Sequence, residues 1–150
     1  MEYKGSKVIN NKKIAIVVSK FNSLITEKLL EGAKQAFVDY ELKNEIDVYW
    51  VPGAFDIPFC CKKISKNYDG IITLGAVIKG ETDHYDYICS STSSAIMNLS
   101  ISEGIPIVFG ILTTNTIEQA LNRSGIKLGN QGYDVSSSII EILSLVKKIK

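Results

Sequence analysis

The run Gly70-Ile71-Ile72-Thr73-Leu74-Gly75-Ala76-Val77-Ile78 decides the fold of this 150-residue chain. It carries no charge, is rich in isoleucine and scarcely alternates between polar and apolar residues, which is typical of a parallel strand buried on both faces. Three further apolar runs lie before and after it: Lys13 to Ser19, Ile46 to Val51 and Ile105 to Leu112. Together they predict a four-stranded parallel sheet.

Helical stretches separate and follow these strands: Leu24 to Tyr40, Asp56 to Lys66, Tyr85 to Ser102, Thr116 to Arg123 and about Val135 to Ile149. Alternating strands and helices with short connections indicate right-handed βαβ units, and therefore a doubly wound three-layer α/β/α sandwich in a single domain, 1–150. We expect Asn22 or Ser23 to cap the first helix. In the arm 1–10, Tyr3 and Val8-Ile9 form either an extra N-terminal edge strand or a loose segment.

Composition excludes several classes of function. The net charge of +1 argues against a nucleic-acid surface, since binding to the phosphate backbone needs a clustered basic excess. The N-terminus has no apolar signal core and no run is long enough to cross a bilayer, so we expect a cytoplasmic protein with no membrane partner. Cys60, Cys61 and Cys89 lack metal-ligand spacing and are expected to be reduced packing residues.

Ligands of doubly wound folds bind at the carboxyl ends of the strands. Four loops converge there in the predicted sheet, and three of them carry side chains capable of chemistry. They are Lys20-Phe21-Asn22, Pro52-Gly53-Ala54-Phe55-Asp56, Lys79 to His84 and Thr113-Thr114-Asn115. We therefore expect the functional site at this edge.

The third loop combines an anion-binding turn with a proton carrier. Gly80 permits a sharp turn, and the free N–H groups at the start of the following helix can hold a phosphate. His84, the chain's one histidine, has an unperturbed pKa near neutrality. His84 could also be a neighbour of the helix cap without catalytic duty. One histidine and no matched cysteines argue against a metal site.

Three other side chains each have two interpretations. Phe21 is either a stacking platform for a planar ring or a rim residue that covers the sheet. Asp56 either accepts hydrogen bonds from ligand hydroxyls or, as its position alone favours, stabilises a helix N-terminus. Arg123 is the one arginine among 17 basic residues. Its donor fork suits phosphate, although a surface charge at a helix end is the commoner case.

Read together, these segments resemble the 6,7-dimethyl-8-ribityllumazine synthase family, from about Ile14 to Ile142. Several motifs in the right order carry the resemblance: Phe21-Asn22, Trp50-Val51-Pro52-Gly53-Ala54-Phe55, Gly75 to Tyr85, Pro106 to Thr113 and Gly129-Asn130. The resemblance implies a flavodoxin-like fold. It also implies the condensation of 5-amino-6-(D-ribitylamino)uracil with 3,4-dihydroxy-2-butanone 4-phosphate in riboflavin biosynthesis, with no metal or organic cofactor.

The resemblance also implies a role for each site residue. Phe21, next to Asn22, would stack on the pyrimidine, and His84 would transfer protons. Phe109 would close a pocket that lies between neighbouring subunits of a pentamer. The remaining substrate contacts would be Ala54, Phe55 and Asp56 at the ribityl side, Ala76, Val77 and Ile78 around the ring, and Glu81, Thr82 and Arg123 at the phosphate.

Two positions depart from the family pattern. Asp56 stands where glutamate is usual, so its carboxylate is one methylene shorter, and we expect it to need a bridging water to reach the ribityl hydroxyls. Gln131 replaces a common lysine, which removes a charge from the phosphate side.

Pentamers of this family either remain free or close into a 60-subunit icosahedral shell, and a shell makes riboflavin synthase a candidate partner. The stretch Gly125 to Asn130, without an insertion, looks like the shell-forming members. Three other functions stay open on the sequence alone. They are a related riboflavin-forming dismutase, a flavin-binding electron carrier of the same fold, and a shell protein whose catalysis is vestigial.

Overall fold

The computed structural model describes residues 1–80, 85–126 and 129–149. Within them the elements are β1 (Ile14–Ser19), α1 (Ser23–Asp39), β2 (Ile46–Val51), α2 (Ile57–Ile64), β3 (Gly70–Ile78), α3 (Tyr85–Glu103), β4 (Ile107–Thr114), α4 (Ile117–Arg123) and α5 (Gln131–Val146). The strands form one parallel sheet in the order β2-β1-β3-β4. This is the start of the flavodoxin-like order. The predicted fold class is confirmed.

Alternate residues of the central strands pack into two apolar layers, one on each face of the sheet. In β1, Ile14, Ile16 and Val18 pack with α1 and α5, whereas Ala15 and Val17 pack with α2 and α3. Because β1 and β3 lie between the two edge strands, every residue of both is buried. The core therefore fixes the central strands, whose carboxyl ends carry the loops of interest.

The starts of two elements, β4 and α5, differ from the predicted ones by two residues or more. Strand β4 begins at Ile107, not Ile105, because the hydroxyl of Ser100 in α3 donates to the Ile105 carbonyl (2.8 Å) and accepts from the Ile107 N–H (3.1 Å). Helix α5 begins at Gln131, not Val135, because the Asn130 side chain accepts from the Tyr133 N–H at 3.1 Å and caps the first turn.

Of the two alternatives for the N-terminal arm, the extra edge strand is wrong for the described chain, in which residues 1–13 contain no strand. The arm lies instead against α5. The Ser6 N–H donates to the Ser144 hydroxyl at 2.9 Å, the Lys7 ammonium donates to the Ser137 carbonyl at 3.0 Å, and Ile9 is buried in the core. Hydrogen bonds to one helix and one apolar anchor thus replace the expected strand pairing.

Candidate functional site

A pocket of about 240 Å³ opens at the carboxyl ends of β1, β2 and β3. Its lining is Phe21, Gly53, Ala54, Phe55, Ala76, Val77, Ile78 and Ile88. Six of these eight residues are substrate contacts expected from the sequence. The structure therefore brings the loop after β1, the loop after β2 and the end of β3 to one apolar cavity.

Two short loops hold aromatic rings at the rim of this pocket. The backbone after β1 continues to bond the end of β2, with the Lys20 N–H on the Val51 carbonyl (2.8 Å) and the Phe21 N–H on the Pro52 carbonyl (3.1 Å). After β2, residues 54–56 form a 3₁₀ turn. Phe21 is 59% exposed and Phe55 is 67% exposed. The loops thus keep two aromatic faces available to a ligand, as a stacking site requires.

The end of β3 offers backbone hydrogen bonds to the same pocket. Pairing between β1 and β3 ends at Val18 and Leu74, whereas pairing between β3 and β4 continues to Ile78 and Thr114. One backbone edge of residues 75–78 is therefore turned toward the loop after β1. The Asn22 side-chain amide donates to the Ala76 carbonyl on this edge at 3.1 Å. Such an edge can recognise the donors and acceptors of a heterocycle.

Asp56 stabilises the turn beside the pocket. Its carboxylate accepts a hydrogen bond from the Gly53 N–H at 3.0 Å, and its own N–H donates to the Gly53 carbonyl at 3.0 Å. This supports the helix-terminus interpretation of Asp56. The side chain is exposed next to Phe55, so a contact with a ligand remains a separate expectation.

Phe109 and Arg123 lie away from the described pocket lining. Phe109 is half-buried on the edge strand β4, three residues before Leu112, which pairs with Ala76. At about 3.3 Å per residue, this places it roughly 10 Å down the sheet from the level of Ala76. Arg123 ends α4 and is exposed. Among the described residues, one chain does not bring these two to the pocket.

Glu81, Thr82 and His84 lie outside the described residues, so their expected roles are not placed by the structure. The flanking backbone is described. The Lys79 N–H donates to the Thr114 carbonyl at 2.8 Å, Gly80 has a φ of 99°, and α3 begins at Tyr85. Gly80 thus has the positive φ that a sharp turn after β3 requires.

The cysteines are free thiols and behave as packing residues. Burial raises the pKa of Cys61 to about 12, and burial also raises the pKa values of Cys60 and Cys89. Across the described ranges, no group of three or more His, Cys, Asp and Glu side chains could hold a metal ion. In the same ranges, no helix is long and apolar enough to cross a membrane.

The sequence reasoning missed two pocket residues, Gly53 as a lining residue and Ile88. Ile88 lies in the first turn of α3, which directly follows the expected anion-binding loop, so its place in the sequence could have indicated it. Tyr85 at the start of α3 was also not singled out. Burial raises the pKa of its phenol, which lies close to Cys89 and Thr113.

Residues 11–147 match the family model described as 6,7-dimethyl-8-ribityllumazine synthase. The chain is 50% identical to a protein of that name from Limosilactobacillus reuteri over 150 residues, 99% of this chain and 98% of the relative. It is 50% identical to another of that name from Leuconostoc mesenteroides over 143 residues, 93% and 92% of the two chains. A solved GDP-L-fucose synthetase from Naegleria fowleri is 10% identical with a TM-score of 0.41, and covers 95% of this chain and 45% of its own. That last likeness is too low to carry an argument.

Proposed function

Because the chain belongs to the 6,7-dimethyl-8-ribityllumazine synthase family, we propose that its pocket at the carboxyl ends of β1, β2 and β3 is the substrate site. The chain is a transferase of riboflavin biosynthesis. It condenses 5-amino-6-(D-ribitylamino)uracil with 3,4-dihydroxy-2-butanone 4-phosphate to 6,7-dimethyl-8-ribityllumazine, phosphate and water. The observation that carries the proposal is the convergence of six expected contact residues on one cavity.

The pyrimidine ring would occupy the apolar cavity with its face on Phe21. Offset or edge contacts between aromatic systems contribute about 0.5–1.5 kcal/mol beyond area burial. The backbone edge of residues 75–78 would meet the polar edge of the ring, with Val77 and Ile78 as its walls. Ala54, Phe55 and Asp56 would lie beside the ribityl chain. The exposed Asp56 carboxylate keeps one oxygen for a hydroxyl while the other accepts from Gly53.

The butanone phosphate would bind where β3 passes into α3. We assign Glu81 and Thr82 to the phosphate, because N–H groups at a helix start attract anions and α3 begins at Tyr85. His84 would move protons as the pyrimidine amine condenses with the ketone to an imine with loss of water, and as phosphate is then eliminated. The ribitylamino nitrogen would close the ring on the carbonyl that this elimination leaves, with loss of a second water. A positioned general acid–base typically contributes about 10²–10⁴-fold. Holding both reactants together would supply further acceleration.

We also propose that the complete site needs a second copy of the chain. The cavity of about 240 Å³ is smaller than the roughly 300–1,000 Å³ usual for small-molecule sites. Phe109 and Arg123 are not among its described lining in one chain and would complete it from a neighbour, Arg123 at the phosphate. The outer side of α3 leaves Tyr87, Met97 and Ile101 more than 60% exposed, which suits burial in an assembly.

A homopentamer fits this arrangement, and closure of pentamers into a 60-subunit shell is the larger assembly that we propose. Such a shell would make riboflavin synthase a candidate partner. The three free thiols suit a reducing compartment, and we propose the cytoplasm.

Turnover of the two substrates tests the function directly. Purified protein mixed with both should release phosphate and form the fluorescent lumazine together, well above the uncatalysed background. A rate equal to the background would reject the activity. Protein that is inactive with these substrates yet copurifies with a tightly bound yellow flavin would favour the electron-carrier alternative.

Mixing two variants tests the shared site. His84→Ala and Arg123→Gln should each be impaired, the second chiefly in the KM of the phosphorylated substrate. If the two side chains reach one site from different copies, co-assembled mixtures regain activity that neither variant has alone. Mixtures that stay at the level of the separate variants would place both groups on one chain. Light scattering of the same samples separates pentamer from shell.

A further inference from the structure

Asn22 has an unusual backbone conformation directly after the ring-bearing Phe21. Its φ is 61° and its ψ is 46°, in the left-handed region that asparagine adopts more readily than most residues other than glycine. Within the described residues only Asn11 and Glu41 share this property without being glycine. The conformation needs a local explanation.

The side chain of Asn22 is turned across the sheet. Asparagine before a helix normally accepts a hydrogen bond from the first turn. Here the carbonyl of Asn22 accepts from Ile25 (2.9 Å) and Thr26 (3.0 Å), while its amide donates to the Ala76 carbonyl at 3.1 Å. The residue thus starts α1 with its backbone and reaches β3 with its side chain.

This bond joins the two walls of the pocket. Phe21 is tied on one side to β2 through the Pro52 carbonyl and is joined by the chain to Asn22 on the other. Ala76 lies on the β3 edge that β1 leaves unpaired. Asn22 therefore sets the spacing between the Phe21 ring and the backbone edge of residues 75–78.

We propose that Asn22 is a positioning residue that holds Phe21 and the Ala76–Ile78 edge at the separation that a planar heterocycle requires. The inference rests on the proposed function, and it replaces the expected direct substrate contact of Asn22 by an action through Phe21. Loss of the amide should leave the chain folded but widen or loosen the pocket. The effect should fall on the pyrimidine substrate, since the phosphate is assigned to other groups.

Asn22→Gly isolates the side chain, because glycine adopts the left-handed conformation freely. The expected result is a KM for the pyrimidine raised about fivefold to tenfold, the usual value of one hydrogen bond, with the KM for the butanone phosphate unchanged. The midpoint of thermal unfolding should move little. Asn22→Asp keeps the shape but sets a carboxylate against the Ala76 carbonyl, and should raise the same KM further. An unchanged pyrimidine KM in both variants overturns the proposal.

Asn11→Gly is the matched control. Asn11 has a φ of 57° and is exposed before β1, at the opposite end of the strand from Asn22. The same replacement there should leave both KM values as they are. If it raised the pyrimidine KM equally, the effect of Asn22→Gly would be a general consequence of added glycine, and the proposal would fail.

A double-mutant cycle with Phe21→Ala distinguishes positioning from contact. If Asn22 acts through Phe21, Asn22→Gly adds little to the KM change of Phe21→Ala. Additive changes would mean that Asn22 acts on its own, which overturns the inference while leaving the stacking role of Phe21 intact. A Phe21→Ala variant with an unaltered pyrimidine KM would instead reject the stacking role itself, and the inference with it.

Discussion

The two ends of the sheet use their polar and aromatic side chains in opposite ways. At the amino end these groups bond one another. The Tyr68 hydroxyl donates to Asp47 at 2.6 Å and lies 2.5 Å from the Tyr49 hydroxyl, and the Lys13 ammonium lies 3.7 Å from Asp47. The Lys13 N–H also donates to the Asp69 carboxylate at 2.8 Å. This end is a closed network.

At the carboxyl end the same strands leave groups available. Phe21 and Phe55 are mostly exposed, and β3 has an edge that β1 does not pair. The same strands and the same two apolar layers connect both ends, so core packing does not explain the difference. A cluster whose groups saturate one another stabilises the fold, whereas a cluster with open faces and an unpaired strand edge is suited to a ligand.

Among the variants at the carboxyl end, His84→Ala should reduce activity the most. Loss of the proposed proton carrier should slow turnover on the order of 10²-fold, within the usual range for a general acid–base, with no loss of folding stability. Single-turnover kinetics and thermal unfolding measure the two effects. Unaltered kinetics would remove His84 from the mechanism, and reduced stability with an unaltered rate would assign it to the helix terminus.

Phe21→Ala should have the second largest effect on activity. Removal of the ring should raise the KM for the pyrimidine about tenfold, because a stacked pair and its buried area contribute about 1.4 kcal/mol. Phe59→Ala is the matched control, since Phe59 is 70% exposed on α2 and is not among the pocket lining of the described chain. Equal KM changes in the two variants would contradict a specific stacking role.

The fold was predictable because its signal is local and redundant. The uncharged run Gly70–Ile78 has the bounds that the structure shows, and so has Ile46–Val51. Boundaries set by distant hydrogen bonds were not predictable. The hydrogen bonds of the Ser100 hydroxyl make β4 start later in the chain than predicted, and the Asn130 cap makes α5 start earlier. The edge-strand prediction for the N-terminal arm was wrong because an apolar pair in a short segment does not reveal which element it will pack against.

The site was predictable in its loops and less so in its contacts. Parallel strands bring their carboxyl ends to one edge, so the convergence of Phe21, Ala54 and Ala76 follows from the topology. The positive φ of Asn22 and its bond to Ala76 depend on tertiary geometry that no local pattern encodes. Arg123 and Phe109 could not be placed at the site for a different reason. Residues that would act at a site between two copies of the chain do not come together within a single copy.

Tyr68→Phe tests whether the network at the amino end of the sheet serves stability alone. The hydroxyl is buried with bonds to Asp47 and Tyr49, so its removal should lower the free energy of unfolding by about 1–2 kcal/mol. Both KM values and kcat should stay unchanged, because this network lies at the end opposite the pocket. Denaturant unfolding and steady-state kinetics measure these quantities. A variant that lost activity without losing stability would show that the network at the amino end influences the pocket at the carboxyl end.

Tyr133→Phe should have the smallest effect, because its network is exposed on the outer seam of α1 and α5. Hydrogen bonds from Gln35 and Tyr133 (2.8 Å to Asp39) lower the pKa of the Asp39 carboxyl below its ordinary value. The bond to Asp39 in turn raises the pKa of Tyr133 to about 12. The lowered acid pKa stabilises the fold above about pH 4 and is lost on acidification. The raised tyrosine pKa stabilises it below about pH 10 and is lost toward pH 12.

The stability difference between wild type and Tyr133→Phe should therefore be flat between these limits and shrink outside them. Nuclear magnetic resonance titration of the Asp39 carboxyl should show its pKa rising in the variant while the bond from Gln35 keeps it below the ordinary value. An Asp39 pKa that is the same in both proteins would mean that the Tyr133 bond is not formed in solution. Because Asp39 is exposed and Tyr133 is only half-buried, salt should reduce the difference.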